Sequence, residues 1–294
     1  MVSKDLKRWR IAAHIVMIIM TACALLPFIL LIIASFTEEK TALKYGYTYF
    51  PKAFSLDAYV YIMQNASTFI RAYGMTIVVT AIGTVASIVI TSLTAYVLSK
   101  KGIPGRRFLT LFVVFTMLFN GGLVATYISY VTLFHIKNTI FALICPSLLM
   151  NAFSIMLVRN YFANSIPEEI YESARIDGAG EMLIFFKLVL PLSVPILATV
   201  GLMTGIAYWN DWQNALYYVD DKSLYTIQAI LNSINESISA LTSLGGSAGV
   251  TAADLPSTTI RMAVAVVGIL PVLVIYPFFQ KYFAAGLMAG SVKG

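Results

Sequence analysis

Six long apolar runs alternate with short charged segments along this chain. A helix that crosses a bilayer needs about 20 mostly apolar residues, so the runs predict spans over 11–36, 71–98, 108–126, 139–158, 188–208 and 258–283. The first carries no formal charge and is flanked by Lys4, Lys7, Arg8 and Arg10. It is much longer than the apolar region of a cleaved signal peptide, about 7–15 residues, and reads as an uncleaved anchor. The third run blurs at Asn120-Gly121-Gly122. Irregular backbone at that depth is tolerated only where it is buried in protein or lines a cavity. Pro191 and Pro195 fall early in the fifth run, and Pro271 and Pro277 predict a kink in the sixth. The expected fold is an all-α polytopic membrane protein. One transmembrane domain, 11–283, lies between a tail at 1–10 and a tail at 284–294. It carries a loop at 164–187 and a second at 211–255.

Composition supports the spans. The chain has 294 residues, 59% hydrophobic and only 12% charged, with mean hydropathy +0.81. Soluble domains carry about 25% charged residues, so an ordinary soluble enzyme, a disordered chain and a disulfide-stapled secreted module are excluded. The net charge of +6 first suggests a nucleic-acid partner. Sorting it by loop removes that reading. With the N-terminus inside, 13 Lys/Arg face 6 acids on the inner side and 7 face 8 on the outer side. This is the positive-inside pattern, and it places both termini in the cytoplasm.

Several chemistries find no residues to carry them. Cys23 and Cys145 sit in apolar runs and imply neither disulfide nor metal site. His14 and His135 are far apart, and no nucleophile, base and acid assemble in the loops. There is no G-x-x-x-x-G-K-[ST] phosphate loop. All 14 acids fall in loops or at span ends, which argues against a transporter driven by intramembrane carboxylates. The expectation is no enzyme, no metal and no cofactor on this chain.

The informative segment is Asn164 to Pro191. Ser165-Ile166-Pro167-Glu168 reads as a capping box. Glu168, Glu169 and Glu172 complement a helix N-terminus, and Arg175 lies three residues from Glu172, in reach of a surface pair. A helix of about three turns then meets Asp177-Gly178-Ala179-Gly180, where glycine permits a left-handed stop. A small-sided, polar helix of this kind suits docking against another protein. The alternative, a helix lying on the membrane, lacks the large apolar residues and basic richness of such helices.

This stretch resembles the EAA loop of ABC importer permeases, E-A-A-x3-G-x9-I-x-L-P. Glu172-Ser173-Ala174, Gly178 and Leu188-Val189-Leu190-Pro191 stand at the matching positions, with Ser for the second residue and Leu for Ile. Ser35-Phe36-Thr37 and the Gly286–Gly294 end are similar to the maltose-type (MalG-like) sugar permeases. Phe119-Asn120-Gly121-Gly122-Leu123, Ala174–Ala179 and Trp209–Leu216 are similar to the LplC/YtcP-like branch of that family. The resemblance implies a type I importer (MetI-like) transmembrane fold in a bacterial plasma membrane. It implies carbohydrate uptake with a second homologous permease as heterodimer partner, two ATP-binding subunits that bind ATP and Mg2+, and an extracytoplasmic solute-binding (lipo)protein. An importer of a non-sugar solute is the alternative. Carried over residue by residue, Glu172, Ser173, Ala174 and Gly178 are coupling positions. Glu169, Arg175 and Asp177 are polar contacts beside them, and Lys293 and Gly294 end a tail that contacts the ATPases or simply frays. Tyr208, Trp209, Asn210 and Trp212, with Asn120, are either interface and packing residues or part of a sugar path. Residues 225–241 predict a surface helix, and the glycine-rich 245–254 is either a connector or a contact for the binding protein.

Overall fold

The computed structural model describes residues 4–244 and 258–291. The described residues are helical almost throughout, and their extended pairing amounts to one isolated bridge, Thr37 with Phe54. The chain divides into two compact units, residues 1–69 with 231–270 and residues 70–230 with 271–294.

The first unit opens with α1 (Lys4–Ser35), α2 (Glu39–Tyr45) and α3 (Asp57–Gln64). The Phe36 ring stacks on Tyr59 at 4.8 Å, and the Tyr59 and Ser35 hydroxyls lie 2.8 Å apart. Glu39 caps a helix more than 200 residues away in sequence. One carboxylate oxygen accepts from the Thr258 N–H (2.9 Å) and hydroxyl (2.8 Å), the other from the Thr259 N–H (3.0 Å) and hydroxyl (2.7 Å). Those residues begin the long helix over Thr258–Ser291. The first N–H groups of a helix have no partner within it, and a carboxylate there also meets the positive dipole end. Burial pushes the Glu39 carboxyl up, but the four threonine bonds outweigh it and hold it below the usual carboxylate range.

The second unit is built on α4 (Ala66–Ser99). Then come α5 (Arg106–Leu118), α6 (Gly122–Ile128) with a π turn over Ser129–Leu133, α7 (Phe141–Ile144), α8 (Ala152–Ser165) and α9 (Glu168–Ile176). After α9 the second unit continues through α10 (Glu181–Ile184) with a π turn over Phe185–Val189, α11 (Leu190–Leu192), α12 (Val194–Trp209) and α13 (Gln213–Tyr218); α14 (Ile227–Leu244) and α15, the Thr258–Ser291 helix, are shared with the first unit, which takes 231–270. Two buried clusters hold the second unit. One gathers Ala95, Tyr96, Phe162, Tyr171 and Phe185, and the other gathers Val79, Leu143, Tyr208 and Tyr218.

Among the described residues three helices are long and apolar enough to cross a membrane: Arg8–Ser35, Ala66–Ser99 and Thr258–Pro277. Two bent pairs qualify as single broken spans. Arg106–Leu118 with Gly122–Leu133 turns by 117° at the Asn120-Gly121-Gly122 irregularity, and Glu181–Leu192 with Val194–Trp209 turns by 79° at Ser193. Pro191 and Pro195 flank that second bend and remove two backbone donors.

The structure corrects four expectations. The run over 139–158 is not one helix: α7 ends at Ile144, Ser147 takes φ +64 after Pro146, and α8 starts under an Asn151 cap whose side chain accepts from the Ser154 N–H at 2.9 Å. Ser165 caps nothing in α9, because it ends α8. Ile166 is extended (φ −107, ψ 114), as a residue before proline prefers, and it is buried. Pro167 therefore stands at the start of α9. Arg175 pairs with Glu181, not Glu172. Finally, α15 runs on to Ser291, past the end expected for the sixth run at 283 and into a segment whose glycines argue against a stable helix.

Candidate functional site

The segment 164–187 becomes a short helix with a firm stop. α9 has nine residues and buries one face through Tyr171, while Glu169, Glu172, Ser173, Ile176 and Asp177 stay exposed. Gly178 takes φ +80, the left-handed conformation that glycine adopts without penalty. The Gly178 N–H donates to Arg175 O (3.0 Å) and the Ala179 N–H to Ala174 O (2.9 Å). These two bonds form a Schellman stop, and the half-buried Ala174 and Ala179 at its two ends pack against the buried cluster around Tyr96 and Tyr171.

A polar cluster joins α9 to the end of α4. The Tyr96 hydroxyl donates to one Glu181 oxygen at 2.6 Å, and Arg175 donates to the other from Nε (3.0 Å) and Nη2 (2.8 Å). Lys100 Nζ lies 3.4 Å from Glu181, 3.6 Å above the Tyr171 ring and 4.5 Å above the Tyr96 ring. An ammonium over two aromatic faces is attracted by both quadrupoles. Burial pushes the Lys100 ammonium below its ordinary value, with Glu181 pulling the other way. At the rim, Lys101 donates to Glu168 at 2.7 Å; this bond raises the lysine and lowers the carboxyl.

Of the coupling candidates, Arg175 faces this cluster, Ala174 packs inward, and Glu169, Glu172, Ser173 and Asp177 form the open face. Sequence reasoning missed Tyr96, Lys100, Tyr171 and Glu181. The one available signal was spacing, since Tyr171 lies four residues before Arg175 on the same helix face. It also missed Ile176, an apolar side chain 86% exposed beside the acids.

The aromatic candidates separate. Tyr208 is buried; its hydroxyl donates to Ile144 O at 2.8 Å and its ring covers Gly83. Trp209 is buried and lines a cavity of about 300 Å³ with Thr80, Thr84, Gly201, Gly205 and Tyr276. The Thr80 and Thr84 hydroxyls are buried there without a hydrogen-bond partner. Asn210 bonds Ile206 O at 2.9 Å, and Trp212 is exposed. Asp211 accepts from the Gln213 and Asn214 N–H groups, capping α13, while the Asn214 side chain donates to Pro146 O at 3.1 Å. Asn120 holds the Gly122 N–H at 2.9 Å in the α5–α6 break. Lys293, Gly294 and the 245–254 segment lie outside the described residues.

Comparison with known proteins accords with this architecture. Residues 87–288 match the family model described as "Binding-protein-dependent transport system inner membrane component". Protein LplC of Bacillus subtilis (strain 168) is 38% identical over 93% of this chain and 90% of its own. The polygalacturonan/rhamnogalacturonan transport system permease protein YtcP of the same strain is 41% identical over 92% of each. A solved structure, of a bacterial ABC transporter involved in the import of the acidic polysaccharide alginate, matches with TM-score 0.78. It is 29% identical and covers 96% of this chain and 99% of that one.

Proposed function

Because the chain belongs to the family of binding-protein-dependent transport system inner membrane components, we propose that it is the permease subunit of an ATP-driven importer of an oligo- or polysaccharide-derived carbohydrate. The relatives named for polygalacturonan and rhamnogalacturonan transport, and the alginate importer, support the substrate class. Membership in a binding-protein-dependent family implies a solute-binding partner and an ATPase, which supplies the ATP and Mg2+ chemistry.

We propose further that a second homologous permease completes the pore and that energy enters through α9. The observation that carries this reading is the helix itself: open on one face, clamped on the other, and stopped at a positive-φ glycine. Glu169, Glu172, Ser173 and Asp177 would meet an ATPase subunit, with Ile176 as an apolar anchor among them. Ala174, Tyr171 and Arg175 hold the helix to the body of the permease, so a push on α9 passes to α4 through Lys100 and Tyr96. Gly178 and Gly180 separate α9 from α10 and let the docked helix move as one piece. Closure of the ATPases then moves α9, and the spans rock between two facing states. The Trp209 cavity, with its two unpartnered threonine hydroxyls, is the proposed wall of the substrate path. Lys293 and Gly294 form a second proposed ATPase contact.

Replacing Gly178 by Asp puts a Cβ at φ +80 and a further charge at the docking face. Uptake of a labelled oligosaccharide by cells carrying Gly178→Asp should fall at least tenfold while the membrane level of the protein stays unchanged. Full uptake would overturn the coupling role of α9, and uptake of only non-sugar solutes by the native protein would overturn the substrate class.

A further inference from the structure

We propose that the cavity at the start of α5 binds the phosphate headgroup of an anionic phospholipid. The cavity measures about 720 Å³, and its lining combines three cations, Arg106, Arg107 and Arg159, with the apolar Ile103, Leu111 and Val114. No carboxylate lines it. Arg106 Nε and Arg159 Nε both donate to Leu98 O, at 3.0 and 3.3 Å, which fixes two guanidinium groups at the end of α4. Arg159 Nη1 also donates to Asn160 at 2.9 Å. None of the three arginines joins an ion pair among the described residues. Three neighbouring cations without a counter-charge are costly in isolation, and a bound anion removes that cost.

The backbone adds to the same field. Gly105, at φ +77, leads into α5 without any side-chain cap, so the positive end of a 13-residue helix opens beside the arginines. A headgroup phosphate takes bidentate guanidinium bonds well. The apolar wall decides between a lipid and a free phosphate. Arg107, Leu111 and Val114 fall at i, i+4 and i+7, so one face of α5 runs from a cation into apolar surface. An acyl chain fits that continuation, whereas inorganic phosphate makes no use of it. Basic pockets between spanning helices at a membrane surface are suited to such headgroups. The inference rests on the membrane placement of α4 and α5 and not on the coupling role of α9.

The test uses the whole transporter complex in nanodiscs of phosphatidylcholine doped with phosphatidylglycerol, with retained lipid read by native mass spectrometry. The native complex should retain phosphatidylglycerol in preference to phosphatidylcholine. Arg107 is exposed and joins no ion pair among the described residues, so Arg107→Gln should lower that retention about fivefold, and Arg107→Lys should keep most of it. Equal retention by Arg107→Gln would overturn the site. So would displacement of the lipid by inorganic phosphate, or loss of an ATPase subunit in its place. Because the readout is bound lipid and not uptake, a failure of the coupling role of α9 leaves this result untouched.

Discussion

At its middle α4 meets α12 through glycine, and at its end it meets α9 and α10 through charge. A Cβ on Gly83 would sit 2.5 Å from Tyr208 Cζ, and one on Gly201 would sit 2.9 Å from Ile88 Cδ1. Small residues let helix backbones approach closely, which is how helices associate where no water drives them together. At the other contact, Tyr96, Lys100, Arg175 and Glu181 hold one another at 2.6–3.4 Å, and the Glu181 side chain is about half exposed. The first contact depends on shape and cannot loosen without a void. The second depends on partly solvated charge and can be weakened by salt. In the coupling proposed for α9, the first would be a fixed crossing and the second a joint that tolerates load.

The difference predicts an order of damage. Gly83→Ala should cost most, about 1–3 kcal/mol from overpacking, because the Tyr208 ring is anchored by its hydroxyl and cannot retreat. The melting temperature of the purified complex measures it. A silent Gly83→Ala would mean that the crossing is not shape-limited.

Glu39 stands between the two kinds, half-buried but polar. Glu39→Ala should cost about 1 kcal/mol, as loss of a helix cap does. Its folded pKa lies below the unfolded value, so its contribution is full above the unfolded pKa and is lost as pH falls through the folded value. A melt series from neutral to acid pH should therefore show the native protein losing stability that Glu39→Gln never had. Parallel curves for the two would remove the carboxylate from the cap.

Glu181→Gln should cost less, about 0.5–1 kcal/mol, because water already screens the half-exposed carboxylate. Added salt should reduce the cost further. The same variant should also lower the uptake driven per ATP hydrolysed, since it frees α9 from α4; unchanged coupling would show that the clamp is only structural.

Much of this was legible in the sequence, for physical reasons that differ by element. Long apolar runs announce α1, α4 and α15, because hydrophobicity summed over about 20 residues outweighs local detail. The stop at Gly178 was legible because its left-handed φ is the conformation glycine serves. The capping box was misread because Pro167 forces Ile166 to be extended, and a buried extended residue separates two helices. The Glu172–Arg175 pair was misread because Glu181, brought back by the glycine turn, accepts two guanidinium bonds where Glu172 stays exposed. Glu39 was invisible, since nothing in local spacing links it to Thr258 and Thr259. The break between α7 and α8 was masked by its own apolar flanks, although Pro146 marked the place.

The smallest effect is expected at Lys101 and Glu168. Their bond is short, 2.7 Å, and it shifts both groups in the directions expected of an ion pair, yet both side chains are largely exposed. Length alone would rank this pair above the 3.4 Å contact of Lys100 with Glu181. Burial reverses the ranking: the Lys100 side chain is only 12% exposed, against 79% for Lys101. Lys101→Ala should therefore leave the melting temperature unchanged at both low and high salt, while Lys100→Ala lowers it at both, because it also empties the space over the Tyr96 and Tyr171 rings. A drop for Lys101→Ala equal to that for Lys100→Ala would mean that distance, not desolvation, ranks the contacts that hold α9.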